Sequence, residues 1–75
     1  MTFLIQISIG IYVNGLPIGF GIVNRSFTIN DDTATAEIDH ILNQQTTSMV
    51  LDYKKSSLPQ WNAMFKLDAI AIVKL

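Results

Sequence analysis

Apolar and polar side chains alternate with a period of two at the start of this chain. Phe3, Ile5, Ile7, Ile9, Ile11 and Val13 share one face of an extended segment, and Leu4, Gln6, Ser8, Gly10 and Tyr12 share the other. Asn14-Gly15 follows at once. Both residues tolerate positive φ, which a two-residue type I′ hairpin turn needs at its two central positions. A second strand from Leu16 to Val23 then sets Leu16, Ile18, Phe20 and Ile22 on one side and Pro17, Gly19, Gly21 and Val23 on the other. Pro17 has no N–H to give a ladder, so this strand suits a sheet edge or begins beyond the proline. Gly19 and Gly21 clear one face for the approach of a helix or of another chain. Residues 24–32 read as a connection, in which Phe27 and Ile29 can prolong the strand.

The period changes after that. Asn30, Asp31 and Asp32 are candidate N-caps, and their carboxylates suit the positive end of a helix dipole. Ala34, Ile38, Ile41, Leu42 and Gln45 recur at helical spacing, which predicts a helix over about Thr33 to Gln45. The β-branched Thr33, Thr35 and Ile38 support a competing strand over 33–39. Thr46 to Tyr53 alternates again, with Thr47, Met49, Leu51 and Tyr53 on one face, and predicts a third strand. Ser57 and Pro59 mark a short helical turn that aims Trp61, Met64 and Phe65 at the core. The last strand is expected over about 66–75, where Lys66, Asp68 and Lys74 interrupt a segment that is apolar on both faces in its middle.

Residues 1–75 are thus expected to form one small α+β domain: a ββαβ(β) sheet of about four strands with one helix packed on one face. A right-handed crossover would bring the C-terminal strand beside the N-terminal one, parallel to it, at the sheet centre. In length and element order this resembles the β-grasp arrangement of ubiquitin-like domains. The resemblance is one of pattern over the whole chain and rests on no motif. Conjugated members end in Gly-Gly, whereas this chain ends Ile72-Val73-Lys74-Leu75, so the resemblance does not extend to activation of a tail.

Composition then narrows the functions. Only 15% of the 75 residues are charged and 49% are apolar, against a typical ~25% charged for soluble domains. A small domain so poor in charge tends to expose apolar area, which marks oligomer and partner interfaces. There is no cysteine, so neither a disulfide nor a thiolate site is available, and a cytoplasmic location is compatible. Arg25 is the first charged side chain. A run this free of charge raises a membrane-associated reading of residues 3–23, but Gln6, Ser8, Asn14 and Pro17 interrupt it and a lipid-spanning helix gains nothing from alternation.

The groups that could carry chemistry do not converge. His40 is the sole histidine, and Glu37 precedes it at the i, i+3 spacing of carboxylate-bridged metal sites. Such sites need further inward carboxylates, so no metal and no cofactor is expected. Asp31 and Asp32 lack the spaced oxygens of a calcium loop. Asp68, among apolar neighbours, would need a partner if it were buried. Gly19-Phe20-Gly21 lacks the Lys-Ser/Thr of a phosphate loop. Ser48, His40 and Asp39 could supply a triad only on paper. Lys54-Lys55 beside Tyr53 and Trp61 is the nearest approach to a single-stranded nucleic-acid site, although a net charge of −1 supplies no general attraction.

The expectation is therefore a non-enzymatic protein–protein interaction module, a homo-oligomer or a binder and inhibitor of another protein. Tiny cysteine-free proteins of viral or mobile-element origin often act so. Tyr12, Phe20, Arg25, Tyr53 and Trp61 are the candidate partner-binding residues, since arginine and aromatics dominate interface energies. Nucleic acid and membrane are the alternative partners.

Overall fold

A computed structural model of the chain describes residues 1–56 and 63–75. The order of elements is β1 (Thr2–Val13), β2 (Leu16–Thr28), α1 (Thr35–Ser56) and β3 (Ala63–Lys74). The chain is an α+β domain whose three strands form one antiparallel sheet in the order β2-β1-β3.

The hairpin forms where its turn residues place it. Asn14 (φ 52°) and Gly15 (φ 79°) both occupy the left-handed region that a type I′ turn demands. β1 then pairs with β2 from Val13↔Leu16 to Thr2↔Thr28, with one irregularity between Ile11 and Tyr12 that accommodates Ile18 as an extra residue. β2 runs five residues beyond the expected Val23, and it lies at a sheet edge, the position that Pro17 favours. The far end is closed by Met1 and Ile29, whose main-chain N–H and C=O groups exchange bonds of 2.8 Å.

Three expectations about topology are corrected. Thr46 to Tyr53 is not a strand but the second half of α1, which is 22 residues long. The sheet accordingly has three strands among the described residues. β3 lies antiparallel, not parallel, to β1, and it forms an edge while β1 takes the centre. The physical reason is length. A 22-residue helix rises about 33 Å, nearly the length of the strands, so it carries the chain back along the whole sheet. The next strand therefore starts at the hairpin-turn end, where Val13 pairs with Ala63. The strand alternative for 33–39 and the cap role of Asn30, Asp31 and Asp32 also give way: these residues form a turn, closed by Thr33 N–H to Asn30 C=O at 3.1 Å, and the helix opens at Thr35. The expected turn at Ser57 and Pro59 and the placement of Trp61 lie outside the described residues.

The core is a single layer between the sheet and α1. Ile5, Ile7 and Ile9 of β1 and Met49 of α1 are fully buried, with Val23, Phe27, Leu42, Val50, Tyr53 and Phe65 packed around them. Each such side chain contributes about 1.5–3 kcal/mol of transfer free energy. Phe3 and Phe27, opposite each other across β1 and β2, stack with centroids 6.0 Å apart. Leu42, Thr46, Met49, Val50 and Tyr53 form one helical stripe at i, i+4, i+7, i+8 and i+11, and this stripe docks the helix. The threonines that favour a strand are kept helical by their hydroxyls, which donate to the carbonyls four residues back: Thr46 Oγ1 to Leu42 and Thr47 Oγ1 to Asn43, both 3.0 Å.

Candidate interaction surface

α1 covers only part of the sheet. It packs over β1 and β2, and its stripe meets the odd-numbered positions Gly21, Val23, Arg25 and Phe27 of β2. The closest approach is at Gly21, where a Cβ would collide with the hydroxyl and ring of Tyr53. Tyr53 in turn meets Phe65 edge-to-face, with centroids 5.7 Å apart. Arg25 ties the same two elements together. Its guanidinium donates to Gln45 Oε1 (3.0 Å), Ser48 Oγ (3.2 Å) and Asp52 Oδ2 (2.9 Å), three successive positions along one side of α1.

Among the described residues no helix lies on the opposite face of the sheet. Cross-strand register assigns it Leu4, Gln6, Ser8, Gly10 and Tyr12 of β1, flanked by Phe20 and Ile22 of β2 and by Met64, Ala69, Ala71 and Val73 of β3. Phe20 is 67% exposed, Met64 58%, Ile22 55% and Val73 50%. Small side chains at Ser8, Ala69 and Ala71 leave a shallow furrow there, bounded by Gln6 and Ile22. Lys66 closes one end, its ammonium 5.1 Å from the centroid of the Tyr12 ring. Asp68 is the extra residue of a bulge in β3 opposite Ser8 and Ile9; it is exposed, and its carboxylate lies over Gly10.

β3 is also bare on its helix-facing side. Leu67, Ile70 and Ile72 point toward the helix layer yet remain 41%, 49% and 44% exposed, because α1 stands over the other two strands. A groove of about 350 Å³ runs between α1 and β3, walled by Thr46, Val50, Leu51, Lys54, Phe65 and Leu67. The chain as a whole exposes 5216 Å², against about 4,600 Å² for a compact monomer of this mass.

The residues proposed from sequence for partner binding thus separate into three groups. Tyr12 and Phe20 share the open face. Arg25 and Tyr53 lie between sheet and helix, where they hold α1 in place. Trp61 lies outside the described residues. Ile70, Ile72 and Val73 are surface apolar residues that sequence reasoning did not single out, and Met64, expected to face the core from a helical turn, instead lies in β3 and on the open face, while Phe65 beside it does reach the core. The signal of the first three is the apolar character of β3 on both faces, a pattern that by itself suits a central strand.

No group of three or more metal-ligating side chains occurs among the described residues. His40 and Asp39 are exposed, and Ser48 accepts from Arg25, so the paper triad does not assemble. A depression of about 520 Å³ follows α1 from His40 to Lys55, and every residue lining it belongs to that one helix. The inward turn of Tyr53 also parts it from the exposed Lys54 and Lys55, the basic half of the nucleic-acid reading. Residues 3–23 form a hairpin, and no described helix is long and apolar enough to cross a membrane. Asp31, not needed as a cap, pairs with the Met1 ammonium; that hydrogen bond and the adjacent positive charge hold its carboxyl below the usual value. No family model, curated protein or solved structure matches the chain.

Proposed function

We propose that this chain is a non-enzymatic interaction module that works by associating with itself or by seating another protein. One observation supports the reading above the rest: a sheet that, among the described residues, is covered by a helix on one face, with Phe20, Ile22, Met64 and Val73 at least half exposed on the other. An apolar face of this kind in a domain with so few charges is the usual mark of a surface that is covered when the protein works. The one polar cluster that joins two elements, Arg25 with Gln45, Ser48 and Asp52, is a set of hydrogen bonds holding α1 to the sheet, which gives catalysis no comparable support.

Sedimentation equilibrium of the full chain over a wide concentration range tests it. Self-association, weakened when Phe20 and Ile22 or the apolar residues of β3 are replaced by serine in a folded variant, is the expected result. A strict monomer that binds no apolar dye such as ANS would overturn the proposal, because a bare face would then have no measurable affinity for anything apolar.

A further inference from the structure

We propose that Asn14 is a site of spontaneous covalent modification: its side-chain amide is lost through a ring closed by the Gly15 nitrogen, and the carboxylate that replaces it enters the pocket lined by Lys66. The site stands whether or not the open face binds a partner.

Asn14-Gly15 is the one Asn-Gly pair in the sequence; Asn24, Asn30, Asn43 and Asn62 are followed by Arg25, Asp31, Gln44 and Ala63. The reaction begins when the main-chain nitrogen of the following residue attacks the carbonyl carbon of the asparagine side chain. A C–N bond forms, the side-chain nitrogen takes up the proton of that N–H and departs as ammonia, and a five-membered succinimide remains. Water then opens the ring at one of its two carbonyls. One opening leaves aspartate; the other leaves isoaspartate, whose main chain runs through the side-chain carbon. One water is consumed, one ammonia is released, and nothing is oxidised or reduced. A Cβ on the attacking residue crowds the ring, and glycine has none.

Three features of the structure leave this pair open to the reaction. Both residues are exposed, and the space around the place of a Gly15 Cβ is empty to 4 Å. Val13↔Leu16 is the last pair of the ladder, so the Gly15 N–H lies beyond it. Neither that N–H nor the Asn14 amide has a hydrogen-bond partner among the described residues. The tip is also weakly held. The next pair inward is Tyr12↔Pro17, in which proline has no N–H to give, and the ladder is irregular directly beyond it. Ring closure must fold the Gly15 nitrogen onto the Asn14 side chain, which the left-handed wells of the turn do not allow. The reaction therefore runs through opening of the tip, and little pairing stands in the way.

The two products differ in what they do to the hairpin. Aspartate tolerates positive φ, and Asp-Gly is itself a type I′ pair, so that product keeps the turn. Its carboxylate joins Tyr12, Met64 and Lys66 around a pocket of about 240 Å³. The Lys66 ammonium, 5.1 Å from the centroid of the Tyr12 ring, has no ion-pair partner among the described residues. Asp68 lies over Gly10, farther from the turn. The net charge of −1 becomes one unit more negative, at a corner of the open face. Isoaspartate instead inserts an extra main-chain carbon into a two-residue turn whose length sets the strand register, and so opens the hairpin tip.

Ageing the full chain at neutral to mildly alkaline pH, followed by peptide mapping with mass spectrometry, tests the site. Asn14 should convert at least about ten-fold faster than Asn24, Asn30 or Asn43, which lack the following glycine. The isoaspartate fraction, separated from the rest, should melt about 4–8 °C lower than the unaged chain. The side-chain NMR signal of Lys66 should shift between wild type and Asn14→Asp, while that of Lys74, at the far end of β3, should not. Conversion of Asn14 no faster than that of the other three overturns the proposal. A Lys66 signal unmoved by Asn14→Asp overturns the placement of the new carboxylate in its pocket, and an isoaspartate form that melts with the unaged chain overturns the effect assigned to the turn.

Discussion

Gly21→Ala should destabilise this domain although its backbone suits alanine. The position has no positive φ, so a methyl group costs nothing in conformation and would by itself stabilise by about 0.4–1 kcal/mol through the unfolded chain. The obstacle is Tyr53. An added Cβ would overlap the tyrosine hydroxyl and stand 2.7 Å from Cζ and 2.9 Å from Cε2. The ring cannot simply swing aside, because it packs edge-to-face on Phe65 and borders the Met49 core. Overpacking of this kind costs about 1–3 kcal/mol, so the net loss should be about 1–2 kcal/mol. For a domain of this size that lowers the melting temperature by roughly 5–15 °C. The control is a double-mutant cycle with Tyr53→Leu, which removes all three colliding atoms; the two sites should couple by about 1–2 kcal/mol. Tyr53→Phe should rescue only in part, since Cζ and Cε2 remain. Urea unfolding followed by circular dichroism reads each corner. A Gly21→Ala protein as stable as wild type, or one equally destabilised beside Tyr53→Leu, would refute the helix–sheet contact described here.

Three further outcomes follow from the same structure. Arg25→Met keeps the aliphatic stem but loses the donors to Gln45, Ser48 and Asp52, and should cost about 1–2 kcal/mol in urea unfolding; Asp52→Asn should cost under about 0.5 kcal/mol, because that side chain is 60% exposed and its ion pair is screened. Gly15→Ala should cost about 1–2 kcal/mol, since φ of 79° is strained for an L side chain, whereas Asn14→Gly should be nearly neutral by the same thermal melts. Asp31 has a carboxyl held below its ordinary value of 3.8 by the Met1 ammonium; its contribution to stability is therefore present above the unfolded value and is lost as pH falls through the depressed folded one. A carboxyl-carbon NMR titration should show Asp31 titrating below its ordinary value, and amine acetylation should return it there.

The hairpin was legible because three independent signals coincide on it: alternation from Phe3 to Val13, an Asn-Gly pair at the turn, and a proline on the strand that becomes an edge. The second half of α1 is ambiguous in sequence for a definable reason. Thr46, Thr47 and Val50 are β-branched, and Thr47, Met49, Leu51 and Tyr53 alternate, so a strand fits locally. The stripe Leu42, Thr46, Met49, Val50, Tyr53 fits a helix as well and continues the spacing begun at Ile38, but its fourth-spaced threonine looks polar until its hydroxyl is known to bond within the helix. The topology turns on that one ambiguity. A short helix followed by a strand implies four strands and a returning parallel partner; a long helix implies three strands and an antiparallel one.

The same ambiguity leaves the candidate surface only half visible in the sequence. Arg25 and Tyr53 are interface candidates on chemistry alone; in the structure Arg25 donates to Gln45, Ser48 and Asp52 along one side of α1, and Tyr53 belongs to the stripe that docks that helix. β3 was expected to be central because it is apolar on both faces, which is the pattern of a strand buried between layers. The structure instead puts that pattern on an edge. A strand with a buried-centre sequence in an edge position has unsatisfied demand on both faces and along its outer main chain.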